Sequence, residues 1–277
     1  MRNKDKRGGG PRQFQPKSSQ NARNNRPEKA SLTIERLSDD GRGLAFNKKR
    51  AIFIENALAG ETVSATFSKQ GKIWAGETIV VEKASEDRVD PRCELFGQCG
   101  GCQLQHASYE HQLNAKQQNF VFKMGRAFPT AELLPPLSSK PYQYRSRARF
   151  AFVGSLIGFR ARRSTKIIGL ETCPLLETEL NDALPALFEQ LKPALKKIGK
   201  GEFDVVVDEK GNIGANLSQI DDQQFDAQRQ LFNEALGEQA VLSFKAANTY
   251  ITFKAGDFTQ VNTDINQQIT ERVVDWL

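Results

Sequence analysis

Long apolar runs are absent from this chain of 277 residues. No stretch approaches the ~18 apolar residues that a membrane helix needs, and the N-terminus lacks the apolar segment of a secretory signal. We therefore expect no membrane partner. Cysteine is scarce as well, with four in the chain. Without a secretory signal, clustered cysteines point to the reducing cytoplasm, where they bind metal rather than each other.

A phosphate-binding glycine loop is also missing. No Gly-rich segment follows a predicted strand and opens a helix, which is the arrangement that a Rossmann-like cofactor site needs. The only glycine triplet, residues 8–10, lies in the N-terminal tail. The 277 residues therefore contain no complete nucleotide-type cofactor site that the sequence can reveal.

The basic charge is concentrated at the N-terminus. Residues 1–30 hold nine of the 39 Lys and Arg but two of the 33 Asp and Glu, a net charge of +7, whereas the other 247 residues have a net charge of −1. Because the first 29 residues are poor in large aliphatic side chains, we predict a disordered basic tail. Such a polycation binds phosphate backbones without reading sequence. A solubilising leader is the alternative.

Three of the four cysteines lie within ten residues. Cys93, Cys99 and Cys102 follow a Cys-x5-Cys-x2-Cys spacing, and the distant Cys173 precedes a proline. Four thiolates suit a [4Fe-4S] cluster, and the glycine pair between Cys99 and Cys102 lets backbone N–H groups turn toward sulfur. Zinc accepts four thiolates too, a disulfide is a third possibility, and a lone CxxC also fits thioredoxin-like redox sites.

Residues 30–88 show short alternating segments separated by glycine turns. Five strands in about 60 residues predict a small closed β-barrel, a fold that often binds oligonucleotides through basic loops and exposed aromatics. A protein-binding or purely structural barrel is the alternative. The candidate RNA-binding residues of this region are Arg42, Lys48, Lys49, Arg50, Lys69, Lys72 and Trp74.

Residues 89–256 predict a mixed α+β domain. Ser108 is a candidate N-cap for a helix that runs to about Met124. A strand over residues 144–150 then places Arg145, Arg147 and Arg149 on one face, as a ladder for phosphates or for an acidic partner, and Arg160 adds to this basic surface. Further along the chain, the carboxylates form no catalytic dyad.

Residues 256–277 combine a polar motif with an amphipathic helix. The motif reads GDFTQVN and contains Gln260, and the helix that follows carries Ile265, Ile269, Val273 and Trp276 on one face. Nothing else in the sequence is an obvious cover for that face.

These motifs together resemble a known family. The N-terminal barrel, CELFGQCGGCQLQH, YRSRARF, GFR, CP and GDFTQVN occur here in the order found in bacterial 23S rRNA uracil-5-methyltransferases that begin with a TRAM domain. The resemblance covers about residues 30–277. It implies an OB-like TRAM barrel, an α+β iron–sulfur domain and the start of a Rossmann-like methyltransferase domain at residues 257–277.

The resemblance also implies roles for individual residues. Cys93, Cys99, Cys102 and Cys173 would hold a [4Fe-4S] cluster with a structural and RNA-binding role, Gln260 would contact S-adenosylmethionine, and the partner would be 23S rRNA. The family adds a cysteine thiolate to the uracil ring and then removes a proton with a carboxylate. All four cysteines here are already assigned, so we expect the front part of such an enzyme, cut off before its catalytic domain, which binds RNA as a monomer but does not methylate it.

Three other hypotheses remain open. A radical S-adenosylmethionine RNA-modifying enzyme also combines a cluster with a TRAM barrel, although its usual cysteine spacing is Cys-x3-Cys-x2-Cys and its barrel is C-terminal. A stand-alone RNA-binding cluster protein without catalysis is the second. A zinc-stapled interaction module is the third.

Overall fold

The computed structural model describes residues 26–220 and 225–277. Most of the predicted basic tail therefore lies outside the described residues. The chain divides into two units, one ending with Gly43–Ala84 and the other built from Leu37–Arg42 and Ser85–Leu277. Among the described helices, none is both long enough and apolar enough to cross a membrane.

The first unit is a closed barrel of five strands. The strands are β1 (Glu28–Leu37), β2 (Gly43–Asn47), β3 (Arg50–Glu55), β4 (Thr62–Gln70) and β5 (Ile73–Lys83). Their order is β1-β2-β3-β5-β4, and β4 pairs antiparallel with β1 to close the barrel. The prediction of a five-stranded closed barrel is therefore confirmed.

Apolar side chains that alternate with polar ones along the strands fill the barrel. Leu32 and Ile34 of β1, Ile52 and Ile54 of β3, and Phe67 of β4 are all buried inside it. Since successive side chains of a strand point to opposite faces, the intervening polar residues face outward. At Gly76 of β5, an added Cβ would lie 1.9 Å from the carbonyl oxygen of Thr66, so only glycine permits the close approach of these strands.

The hairpin between β2 and β3 has two lysines at its tip. Lys48 and Lys49 both have positive φ angles, 49° and 65°, and both are exposed. Two central residues with positive φ define the tight turn that matches strand twist, but Asn and Gly are the residues that adopt it at low cost. The chain therefore holds two lysines in a backbone conformation that other residues would adopt more easily.

The second unit is built around an antiparallel sheet. Its strands are β6 (Arg147–Val153), β7 (Leu156–Arg160), β8 (Ile167–Gly169), β9 (Lys200–Val207) and β10 (Ile213–Ile220), in the order β10-β9-β6-β7-β8. The predicted strand over residues 144–150 begins later than expected, at Arg147. Arg145 forms isolated bridges to Leu176 and Asn262 instead of joining the sheet.

The second unit also contains four described helices. They are α1 (Tyr109–Ala127), α2 (Thr178–Ile198), α3 (Phe225–Leu236) and α4 (Thr263–Asp275), and a separate hairpin consists of β11 (Leu242–Ala246) and β12 (Thr249–Phe253). Four phenylalanines, Phe150, Phe188, Phe203 and Phe232, pack ring against ring where α2 and α3 meet the sheet. These aromatic contacts make the main core of the unit.

The helices α1 and α4 have no buried residue. Ser108 caps α1 by accepting a hydrogen bond from the backbone N–H of His111 at 3.2 Å, which confirms the predicted N-cap. Helix α4 has no buried residue, and Ile269, Val273 and Trp276 are 44–66% exposed. Within the described residues, its apolar face is uncovered, as the sequence predicted.

Candidate metal centre

The segment that carries three cysteines packs on the end of β7. The Gly100 N–H donates to the carbonyl of Arg160 at 2.9 Å, and Cys99 forms an antiparallel bridge with Ala161. An added Cβ on Gly100 would lie 3.0 Å from the Arg160 oxygen. Glycine at this position therefore lets the cysteine turn lie directly against the strand.

The fourth cysteine is fixed by α2. The side chain of Asn181 accepts from the Cys173 N–H at 2.9 Å and donates to the Cys173 carbonyl at 2.8 Å. Its amide also donates to the carbonyl of Leu176 at 3.3 Å. The first turn of a helix thus holds the remote cysteine by both of its backbone groups.

All four cysteines line one cavity of about 440 Å³. They are half-buried and free, so the disulfide that the sequence left possible is not formed. Two segments some seventy residues apart in sequence therefore present their thiols to one space. The role of these thiols as metal ligands stays a prediction.

The environment of three of the thiols disfavours their charged form. Burial raises the pKa of Cys99, Cys102 and Cys173, and the neighbouring cysteines raise it further. The Gly101 N–H, 3.4 Å from Sγ of Cys99, and the Gln105 side-chain amide, 3.1 Å from Sγ of Cys102, act in the opposite direction. Such thiols stay protonated until a metal centre takes the place of their protons.

The side chains that could bind a metal ion are not tightly grouped. Within residues 26–220 and 225–277, no three His, Cys, Asp or Glu side chains are grouped closely enough to hold a single metal ion. Four thiols suit one zinc ion or a cluster of several atoms, so the identity of a group bound in this cavity stays a prediction.

The cavity is also basic. Its lining includes Arg145, Arg149, Arg160 and Arg163, against the single carboxylate of Glu202. The Nε atom of Arg145 is buried, and no hydrogen-bond partner for it is found in the part of the chain that the structure describes. An anionic group in the cavity would meet these guanidinium groups, of which Arg149 and Arg160 already pair with carboxylates.

The predicted arginine ladder has internal partners. Arg149 binds Asp204, Arg160 binds Glu202, and Arg147 reaches the backbone carbonyls of Ala255 and Asp257. Arg147 therefore supports the segment before α4. A role in RNA binding stays a prediction for these residues, and Arg145, whose guanidinium borders the cysteine cavity, no longer belongs to a regular ladder.

The basic residues of the barrel region differ in exposure and in whether they pair with a carboxylate. Lys48, Lys49, Lys69 and Lys72 are exposed. Arg50 forms a bidentate ion pair with Glu28, at 2.8–2.9 Å, and lies 4.2 Å above the ring of half-buried Trp74. Arg42 departs from the expected exposed loop, because it is 8% exposed and pairs with Asp40 at 2.6 Å.

The predicted cofactor contact lies between β12 and α4. Gln260 is exposed there, and its neighbours are tied to the start of β6 because the Ser146 N–H donates to the Val261 carbonyl at 2.9 Å. Asn262 caps α4 by accepting from the Ile265 N–H at 3.0 Å. The motif thus has a defined backbone, and the contact of Gln260 with S-adenosylmethionine stays a prediction.

One residue at the centre gave no signal in the sequence. Gln105 is 7% exposed, and its side chain contacts both Cys93 and Cys102. A glutamine three residues after a cysteine has no special pattern, so only the folded turn reveals the contact.

The fold of this chain is similar to that of a uracil-C5 methyltransferase of known structure. The crystal structure of the Pyrococcus abyssi tRNA (uracil-54, C5)-methyltransferase in complex with S-adenosyl-L-homocysteine superposes with a TM-score of 0.64. The two sequences are 19% identical, and the match covers 88% of this chain and 64% of the other. At this identity the likeness concerns the fold alone.

Sequence comparison is more specific. The chain is 32% identical to the 23S rRNA (uracil(1939)-C(5))-methyltransferase RlmD of Vibrio parahaemolyticus over 290 residues, and 34% identical to that of Pseudomonas savastanoi over 276 residues. These matches cover 95% and 90% of this chain, but the chain spans only 65% and 61% of those relatives. No protein-family model matches it. The resemblance predicted from the sequence is confirmed: the chain is homologous to 23S rRNA uracil-C5 methyltransferases.

Proposed function

We propose that this chain supplies the RNA-binding and iron–sulfur part of an S-adenosylmethionine-dependent 23S rRNA uracil-C5 methyltransferase. The observation that carries the proposal is the meeting of four free cysteines around one cavity, in a chain homologous to enzymes named for that reaction. The chain spans about two thirds of those relatives. The activity and substrate of the whole protein are therefore part of the proposal.

The group that we propose for the cavity is a [4Fe-4S] cluster, with zinc as the alternative. Four thiols line one cavity, as a cubane cluster requires, and the lining also includes Arg145, whose buried Nε atom has no hydrogen-bond partner among the described residues. Cys93, Cys99, Cys102 and Cys173 are the ligands in this proposal. When bound, the cluster would link the cysteine turn to the start of α2 and stabilise the second unit.

The RNA surface in this proposal begins with the exposed lysines of the barrel. Lys48 and Lys49 at the β2–β3 tip and Lys72 before β5 have no carboxylate partner among the described contacts, unlike Arg50 and Arg160. Free cations displace counterions from phosphates more readily than paired ones do. The barrel lysines are therefore proposed as the first contacts, with Arg145, Arg149 and Arg160 as secondary ones.

Methyl transfer needs more than these residues provide. A uracil-C5 enzyme needs a thiolate nucleophile, and the proposed cluster uses all four cysteines of the sequence. Gln260 would contact S-adenosylmethionine from an exposed segment between β12 and α4. We therefore expect the 277 residues by themselves to bind RNA without methylating it.

The test begins with protein purified anaerobically. We expect about four irons and four sulfides per chain, and binding to a 23S rRNA fragment around the uridine named for the relatives, with no methyl transfer from S-adenosylmethionine. The control is the variant Cys102→Ser. Stoichiometric zinc in place of iron would refute the cluster. The RNA surface would be refuted if the RNA affinity were no greater than that of a basic peptide of equal charge. Methyl transfer by the 277 residues would refute the assignment of all four thiols to the cluster.

A further inference from the structure

The side-chain amide of Gln105 lies between two of the proposed ligands. Its Oε1 accepts from the backbone N–H of Cys93 at 3.1 Å, and its Nε2 donates to Sγ of Cys102 at 3.1 Å. The residue is 7% exposed, so these contacts form away from bulk water. One buried amide therefore connects the first and third cysteines of the turn.

The orientation of this amide follows from its partners. A glutamine side chain has one oxygen that accepts and one NH2 group that donates. Because the Cys93 N–H can only donate, Oε1 must face it, and the NH2 group is left directed at sulfur. The N–H···S contact is therefore a consequence of the backbone, not an arbitrary choice of side-chain rotation.

We infer that Gln105 is a positioning residue for the cluster, which holds Cys93 in place and stabilises the charge on the Cys102 sulfur. The inference rests on the proposed iron–sulfur centre. Hydrogen bonds to cluster sulfurs help to set the reduction potential, and groups that orient ligands are needed for tight binding. A donor to sulfur favours the more negative, reduced state, so Gln105 raises the potential and slows loss of the cluster.

The turn offers a matched control two residues away. Gln103 is exposed, and its amide donates to the Gly100 carbonyl at 3.2 Å instead of to sulfur. Gln103→Leu removes the same kind of side chain from the same turn. It should leave the potential and the stability of the cluster unchanged.

The experiment compares Gln105→Glu, Gln105→Leu and Gln103→Leu in the 277-residue chain. Glutamate keeps an oxygen for the Cys93 N–H but places a second oxygen against sulfur, so the potential becomes more negative than in the wild type. For both Gln105 variants we expect iron loss to a chelator to be about 10- to 100-fold faster. Potentials and loss rates like those of the wild type would overturn the inference.

A measurement on the wild type tests the same inference if the Gln105 variants do not fold. With glutamine labelled with ¹⁵N at the side-chain amide, pulsed electron paramagnetic resonance of the reduced cluster should show coupling to one nitrogen, which Gln103→Leu retains. Absence of that coupling in a loaded wild type would overturn the role of Gln105 alone. A wild type without iron and sulfide would overturn the proposed centre together with the inference.

Discussion

Arg149 and Asp204 face each other across β6 and β9, and the guanidinium donates to both carboxylate oxygens. The distances are 3.0 Å from Nε to Oδ1 and 3.2 Å from Nη2 to Oδ2. The two residues are register partners, and the carboxylate is only 6% exposed. Nε of Arg147 lies 3.9 Å from the same carboxylate. Asp204 therefore neutralises part of a row of cations that the sequence predicted as a ladder for phosphates or for an acidic partner.

Replacement of this carboxylate tests its structural role. Asp204→Asn leaves Arg147 and Arg149 without a charged partner and places an NH2 group against a guanidinium. We expect the free energy of unfolding to fall by about 1–3 kcal/mol, measured by urea denaturation. The exposed Asp182→Asn is the charge-matched control. Equal stability of the two variants would contradict the role of Asp204.

At the hairpin tip of the barrel, we predict a substitution that increases the free energy of unfolding. The double variant Lys48→Asn, Lys49→Gly places residues suited to positive φ at both positions. We expect the barrel to gain about 1–2 kcal/mol, because non-glycine residues are strained there. In RNA binding, the slope of log K against log salt should fall by about 0.7–0.9 for each phosphate that the variant no longer neutralises.

A charge-matched control separates these effects from a general loss of basicity. Lys196→Gln with Lys197→Gln removes two exposed lysines from the end of α2. An equal change of salt slope in both double variants would mean that the hairpin tip does not bind RNA. No gain in stability would mean that the positive φ angles cost little.

Local features of this chain were predictable because their causes are local. The alternation of Leu32 and Ile34 with polar residues predicted a barrel strand, and Ser108 predicted the start of α1, since each depends on a few neighbouring residues. The pairing of Arg149 with Asp204, 55 residues away, depends on which strand lies beside β6. The contacts of Gln105 with Cys93 and Cys102 could not be predicted from the sequence either, because they form only when the turn folds around the side chain.

The β9–β10 turn gives a prediction about pH. Burial opposes ionisation of Asp208, but hydrogen bonds from Asn212, Lys210 and Ser243 outweigh it, and the pKa lies below the ordinary 3.8. A lowered pKa means that ionised Asp208 adds stability above the unfolded-state pKa, and that this stability is lost as the pH falls through the folded-state pKa.

Asp208→Asn measures this contribution. We expect the variant to be about 1–3 kcal/mol less stable than the wild type near neutral pH, because an NH2 group then meets donors. The difference should shrink as urea denaturation is repeated below about pH 4, because the unfolded chain takes up a proton there before the folded carboxylate does. A difference that stays constant from about pH 6 to about pH 3 would show that ionisation of Asp208 is not its cause.

Removal of the proposed metal centre gives the last prediction, in the form of a thermodynamic cycle. Because the binding energy of a cluster is also folding energy, anaerobic treatment with a chelator should lower the melting temperature of the second unit. Cys102→Ser should lower it by a similar amount, and the chelator should then have no further effect. The barrel, whose closure depends on strand pairing and its own core, should keep its transition in all four samples. A chelator effect of equal size in wild type and variant would mean that the bound metal lies elsewhere, and no effect in either would mean that the cysteine cavity holds nothing that stabilises the fold.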